Sequence, residues 1–308
     1  MDELPQDDVR LWAMPTVAVV ANRKKNLGGG LTELRQILLD NEITDPLWFE
    51  VGKSSDAPKC IRKSIKQGAD LIFVWGGDGM VQRSIDALGD TKVPVAILPA
   101  GTANLLATNL GIPKDLAKAV EIGLHGTRRR LDVGVLNGER FAVMAGAGFD
   151  ARIMDGVSHK SKQRFGRMAY IQSAVQAVKV QRSRMTIDVD GEQWFEGMAS
   201  CVLFGNVGTV SGGLKIFPLA RPDDGVMEIG VVTAKGFIDW LQVLIRIVTR
   251  RAKKSETLAT THGHKISVRF GRAMTYQLDG GTRKKSKKLK VRIVPDAISI
   301  CVPQSTNA

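Results

Sequence analysis

Cysteine is scarce in this 308-residue chain: its three, Cys60, Cys201 and Cys301, lie far apart, and no Cys-x-x-Cys pair occurs. An odd, dispersed set speaks against a disulfide framework or a thiolate zinc site, and points to a reducing cytoplasm. Aromatic residues make up 6% of the chain; with neither zinc-finger spacing nor an aromatic-basic RNA motif, no nucleic-acid partner is expected. No apolar run is long enough to span a bilayer. The first ten residues carry Asp2, Glu3, Asp7 and Asp8, the wrong charge for a signal peptide. Any membrane contact is therefore expected to be peripheral. Acids are in short supply overall, with 31 Asp and Glu against 44 Lys and Arg, a net charge of +13 and a pI near 9.8. That balance implies an anionic partner, a membrane surface or a nucleic acid, and the missing nucleic-acid motifs favour the former.

A hydrophobic content of 44% is enough for a sizeable core, and the length suggests about two domains at roughly 150 residues each. Up to Leu131, strand-like runs alternate with helical patterns such as Ile61 to Gly68 and Leu116 to Leu124, the signature of a parallel sheet with crossover helices. From Asp132 onward strands dominate: Phe141 to Ala145, Met185 to Val189, Ala199 to Phe204, Val226 to Val232, Lys265 to Phe270 and Leu289 to Val294. Such a run predicts an antiparallel sandwich, with helices at Met168 to Val180 and Phe237 to Arg251. The expected organisation is a nucleotide-binding α/β domain over 1–131 and a β-rich domain over 132–308, whose C-terminal end is free to return to the first.

Three strand-to-loop units in the first part carry the chemistry. The apolar run Leu71 to Trp75 empties into Gly76-Gly77-Asp78-Gly79; Val93 to Leu98 feeds Pro99-Ala100-Gly101-Thr102-Ala103-Asn104; and Thr16 to Ala21 leads to Asn22. Glycines let backbone N–H groups approach a phosphate, while a bare carboxylate such as Asp78 would repel one unless a divalent cation sat between them. Asp78 could equally cap the following helix, and Thr102 could cap its own. Three such loops at the carboxyl ends of parallel strands favour a nucleotide site.

These segments, together with Gly148-Phe149-Asp150-Ala151, Asp223-Asp224-Gly225 and Gln277-Leu278-Asp279-Gly280, resemble the ordered motifs of the diacylglycerol kinase catalytic-domain family, which includes bacterial soluble lipid kinases and is related to sphingosine and ceramide kinases. The resemblance runs from about Thr16 to Pro303. It implies a first domain like that of NAD kinases and phosphofructokinases, and transfer of the γ-phosphoryl of ATP to a lipid hydroxyl, with diacylglycerol becoming phosphatidic acid. By the same resemblance Asp78 bears on Mg²⁺ and Asp279 is the general base. Gly76, Gly77, Gly79, Gly101 and Thr102 then hold the phosphates, Asn22 and Asn104 contact the nucleotide, and Asp132 with Asp224 helps hold a second Mg²⁺. Asp279-Gly280 also reads as a hairpin turn, and Asp223-Asp224 as an ordinary turn.

Departures from the family pattern are Met80 for Thr, Arg83 for Glu, Leu105 for Asp and Gly281 for an acid. They set a non-catalytic nucleotide- or lipid-binding homologue against the kinase, beside the alternative of a kinase for another lipid: ceramide, a sphingoid base or monoacylglycerol. Expected partners are a lipid substrate and an anionic membrane surface, the latter met by the basic Arg283 to Lys290 segment and by an amphipathic helix around Trp240. Homodimerisation is left open.

Overall fold

The computed structural model describes residues 15–148, 182–210, 214–236, 239–240 and 257–304. The Phe149-Asp150-Ala151 part of one motif, the basic cluster from His159 to Arg167, the helix expected over 168–180 and nearly all of the one expected over 237–251 lie outside these residues.

The first unit alternates β1 (Val17–Asn22), α1 (Gly30–Asp40), β2 (Leu47–Val51), α2 (Ala57–Lys66), β3 (Leu71–Gly76), α3 (Asp78–Leu88), β4 (Val95–Pro99), α4 (Leu105–Asn109) and α5 (Leu116–His125). Strands β1, β3 and β4 are buried along their whole length, as continuous apolar runs covered by helices on both faces must be. They pair in parallel with β2 in the order β2-β1-β3-β4. The helices start where local chemistry allows it: Pro58 stands in the first turn of α2, where its missing N–H costs nothing, and Asp115 caps α5 by accepting from the Lys118 N–H at 2.9 Å.

The chain then becomes antiparallel through β5 (Thr127–Leu136), β6 (Glu139–Phe141), β7 (Met144–Ala147), β8 (Ser183–Val189), β9 (Glu192–Ala199), β10 (Cys201–Gly205), β11 (Thr209–Val210), β12 (Leu214–Lys215), β13 (Met227–Val232), β14 (Leu258–Gly263), β15 (Lys265–Leu278) and β16 (Gly281–Val302). The division expected after Leu131 falls inside β5, which is one unbroken strand. The parallel and antiparallel strands form a single sheet of 14 strands among the described residues. The joint is β16: its first half pairs with β15 and its second half with β5, and near its end Ile300 lies beside Val95 of β4 in parallel.

Two cores result. One gathers β1, β3, β4 and their helices with Leu131, Val133, Ile298 and Ile300; the other gathers Phe141, Phe204, Ile229, Val268 and Leu289. Trp240 is 8% exposed and packs on Cys201, Leu203 and Phe217 in a third, smaller cluster, so it serves as core and is not a lipid anchor.

Candidate active site

A cleft of about 470 Å³ opens where the carboxyl ends of β1, β3 and β4 face β7 and the β15–β16 turn. One wall is polar, built from Asn22, Lys25, Ser54, Gly77 to Gly79 and Gly101 to Ala103; the other brings Val143 to Gly146, Leu203, Val210 and Ile216. Asp78 and Asp279 both line it.

Asp78 lies in the first turn of α3, whose N-cap is Gly77. Its carboxylate reaches across to the next loop, where Oδ2 accepts from the Asn104 N–H at 3.0 Å and Oδ1 from that of Leu105. It therefore ties β3's loop to the start of α4. The glycines serve the same union: a Cβ on Gly77 would stand 3.1 Å from the Cα of Gly101, and one on Gly101 would run into the Gly77 backbone. The two loops touch backbone to backbone, which only residues without a side chain permit. Asn104, held at φ 50°, turns inward to fasten its own loop, accepting from the Gly101 N–H at 2.9 Å and donating to the Gly101 carbonyl at 2.9 Å and the Pro99 carbonyl at 3.2 Å. It supports the loop without facing the cleft, and Thr102 is not a helix cap. The backbone N–H groups of Thr102 and Ala103 have no protein partner among the described residues. With the first turn of α3 they form a donor set suited to phosphate oxygens.

Asp279 satisfies both of its readings at once. With Gly280 it makes a two-residue hairpin turn, φ 43° and 80°, the mirror-image turn that Asp-Gly favours. The turn carries the carboxylate, 5% exposed, onto the start of β7. There Oδ1 accepts from the N–H groups of Val143 at 3.0 Å and Met144 at 2.8 Å, and Oδ2 from that of Ala142 at 2.9 Å. Burial pushes its pKa up to about 6, the three N–H donors pull against that rise, and the nearby Asp78 charge adds to it. Oδ2, with a single N–H partner, is the oxygen left to take a proton.

The turn is braced from beneath. Arg283 lays its Nε against Glu139 at 2.7 Å and donates from Nη1 to the Gly281 carbonyl at 3.0 Å. Gln82 of α3 donates to the Arg140 carbonyl at 2.7 Å and accepts from Arg283 Nη2 at 3.5 Å, so the helix that begins with Asp78 and the strand that leads from Asp279 share one network. Arg283, whose side chain is 14% exposed, is thus committed to this brace and is not free for lipid headgroups.

The remaining expected residues fall as follows. Asn22 lines the cleft, with Oδ1 accepting from the Lys24 N–H at 3.0 Å. Gly76 sits below the loop, where its hydrogen leaves room for Met80. Asp132 and Asp224 meet at a separate corner: Asp132, 2% exposed, accepts from the N–H groups of Gly225 at 2.6 Å and Asp296 at 2.9 Å, and Asp224 accepts from that of Val226 at 3.1 Å. Neither lines the cleft. Among the described residues no group of three His, Cys, Asp or Glu side chains is gathered to hold a metal. The cleft does suit Mg²⁺ brought by a nucleotide, because that ion commonly takes one or two carboxylates and completes its shell with phosphates and water. Asp78, which lines the cleft beside the two glycine loops, is the carboxylate that would meet it.

Residues 16–136 match the model of the diacylglycerol kinase catalytic domain, and residues 143–302 that of the YegS C-terminal NAD kinase beta sandwich-like domain. The chain belongs to the diacylglycerol kinase catalytic-domain family and is a lipid kinase. It is 26% identical over 231 residues to a diacylglycerol kinase of Bacillus subtilis, covering 74% of this chain and 76% of that one. It is also 26% identical over 281 residues to a protein of Enterobacter described as "probable lipid kinase YegS-like", covering 89% and 90%. A solved diacylglycerol kinase from Bacillus anthracis superposes with a TM-score of 0.70 at 21% identity, over 93% of this chain and 96% of the other. An NAD kinase from Archaeoglobus fulgidus, at 13% identity and a TM-score of 0.52 over 93% of each, shares the fold alone.

The departures from the family pattern find places in this fold. Met80 is buried against Gly76, and Leu105 donates its N–H to Asp78, which any residue but proline can do. Arg83 lines the cleft and adds a cation on the polar side. Gly281 has no positive φ; a Cβ there would meet Arg283 Nη1 at 2.7 Å, the far end of a flexible side chain. The brace formed by Arg283 and Glu139 occupies the space beside the turn where the family's usual acid would project.

Proposed function

We propose that the protein transfers the γ-phosphoryl of ATP to the hydroxyl of diacylglycerol, giving phosphatidic acid and ADP. The observation that carries the proposal is the position of Asp279, between a wall of backbone N–H donors and a wall of apolar side chains. A phosphate tail fits the first and a lipid body the second. Phosphoryl transfer is mostly positioning and electrostatics, and the residues divide that labour. Gly77 to Gly79 and Gly101 to Ala103 hold the phosphates, Lys25 and Arg83 add positive charge, and Leu203, Val210 and Ile216 shelter the acyl region. Asp78 would hold a Mg²⁺ ion brought with the nucleotide, which would supply charge neutralisation. Asp279 Oδ2 accepts the hydroxyl proton as the lipid oxygen bonds to the γ-phosphorus and the bond from that phosphorus to the β-bridging oxygen breaks, leaving ADP. A buried carboxylate with a pKa of about 6 is ionised at neutral pH yet basic enough for that proton.

The test is purified protein with Mg²⁺ and labelled ATP on mixed micelles offering diacylglycerol, ceramide, sphingosine and monoacylglycerol in parallel. Label in phosphatidic acid, lost in Asp279→Asn, is the expected result. Label in another lipid would reassign the substrate, and NADP formed from NAD with no lipid product would reverse the proposal. No helix among the described residues is long and apolar enough to cross a membrane. The proposed enzyme meets its substrate by contact with a bilayer surface, from the cytoplasmic side.

A further inference from the structure

The β15–β16 hairpin turns one side to the second core, burying Ile266, Val268, Leu289 and Val291. The alternate positions Lys265, Arg269, Lys288, Lys290 and Arg292 are exposed. Strand register sets Lys265 directly opposite Arg292, Arg269 opposite Lys288, and Lys290 opposite Ser267. Like charges facing each other across a ladder repel and weaken it. Arg269 is answered by Asp188 at 2.8 Å, whereas the side chains of Lys265, Lys288, Lys290 and Arg292 make no ion pair among the described residues. Lys265, Lys290 and Arg292 also line an open groove between the Asn137-Gly138 and Asp190-Gly191 hairpin tips. Nearer the turn that bears Asp279, exposed Lys284, Lys285 and Lys287 extend the basic segment on both faces of β16. From Lys284 to Arg292 the basic segment is about 26 Å long at strand rise.

We propose that this outer face of the hairpin docks on the anionic surface of a lipid bilayer. The proposal rests on the lipid-kinase reading for its choice of polyanion: the basic row leads to the catalytic turn, so a bilayer lying along it reaches the cleft that takes the lipid. Between 265 and 269 and between 288 and 292 the outward positions carry no aromatic side chain on which a base could stack, a feature that single-stranded nucleic-acid grooves rely on. The outward side chains of this face are mainly cationic, so its attachment is electrostatic and reversible. Phosphate groups of the bilayer offset the repulsion that the sheet otherwise bears.

The experiment compares the parent with Lys288→Gln/Lys290→Gln/Arg292→Gln in co-sedimentation with vesicles of phosphatidylcholine alone and of phosphatidylcholine mixed with phosphatidylglycerol. A control variant replaces the exposed Lys66, Lys92 and Lys118 by Gln. The parent is expected to bind only the anionic vesicles, losing that binding as salt rises. Each charge is worth about fivefold in affinity, so the triple variant should bind on the order of a hundredfold more weakly, while the control binds like the parent. Thermal unfolding of the triple variant should be unchanged or raised, because opposed charges have been removed. Phosphorylation of a dispersed short-chain diacylglycerol should be the same in all three. Equal vesicle binding by parent and triple variant would overturn the proposal, as would binding of the parent to RNA but not to vesicles. Salt-sensitive vesicle binding without any lipid phosphorylation would instead count against the kinase reading while leaving the docking face intact.

Discussion

Replacing Asp279 with Asn keeps the side chain's shape and removes its titration, which makes the carboxylate's electrostatics measurable. In the native protein the group's pKa is pushed from 3.8 to about 6, chiefly by burial. Because the folded state holds its proton more tightly, the stabilising contribution is fully present below about pH 4 and is lost as pH rises through about 6. Two pKa units correspond to about 3 kcal/mol in all, of which about 2 kcal/mol falls between pH 4.5 and 7.5. The amide that replaces the carboxylate would keep the two bonds to Oδ1 but set an NH₂ against the Ala142 N–H, a pH-independent loss of about 1–3 kcal/mol. Urea denaturation of parent and variant at the two pH values isolates the titrating part: the parent's advantage should shrink by about 2 kcal/mol on going to pH 7.5. In parallel, kcat/KM of the parent should rise tenfold per pH unit up to about 6 and then level off, since the base works only when ionised. A parent-to-variant difference that does not change with pH would refute the reasoning, because the carboxylate would then not be titrating near 6.

Three further outcomes are expected. Gly101→Ala should separate the two phosphate loops, costing about 1–3 kcal/mol as an overpacked contact and weakening ATP binding measured by calorimetry. Gly281→Ala should change stability by under about 1 kcal/mol, because its φ is ordinary, whereas Gly280→Ala, at φ 80°, should cost about 1–2 kcal/mol by thermal denaturation. Arg283→Gln should lower kcat about tenfold with ATP affinity intact, since the turn loses its brace and the phosphate loops do not; an equal loss in ATP binding would move Arg283 into the nucleotide site.

What could be read from the sequence follows where physics is local. The units around β1, β3 and β4 stood out because strands buried on both faces are unbroken apolar runs, and α5 was bounded within a residue by its apolar spacing. Strand β9, with Glu192, Glu196 and a mostly exposed edge, and β14, which ends in Gly263, carry no clean alternation and escaped notice. The Lys-rich stretch from 284 to 288 showed no strand pattern because both faces of that part of β16 meet water. In the site, Asp279 was found through its motif. Its three partners on Ala142, Val143 and Met144 could not be, because backbone N–H groups have no signature in a sequence and lie some 135 positions away. Likewise the glycines read as making way for a phosphate, while the need for Gly77 and Gly101 to make way for each other depends on a contact between loops.

The parallel contact between Val95 and Ile300 joins positions 205 apart in the chain. Until β16 arrives, β4 is an open edge on a sheet of buried apolar strands, a template for pairing with the same strand of another molecule. Closing so long a loop is slow, as for any topology dominated by distant contacts. On the ribosome, the nucleotide-binding half would wait through the synthesis of the whole antiparallel half before its sheet is sealed, so the risk of misassembly concentrates in that interval. Two halves that look separable by composition are in this sense one folding unit.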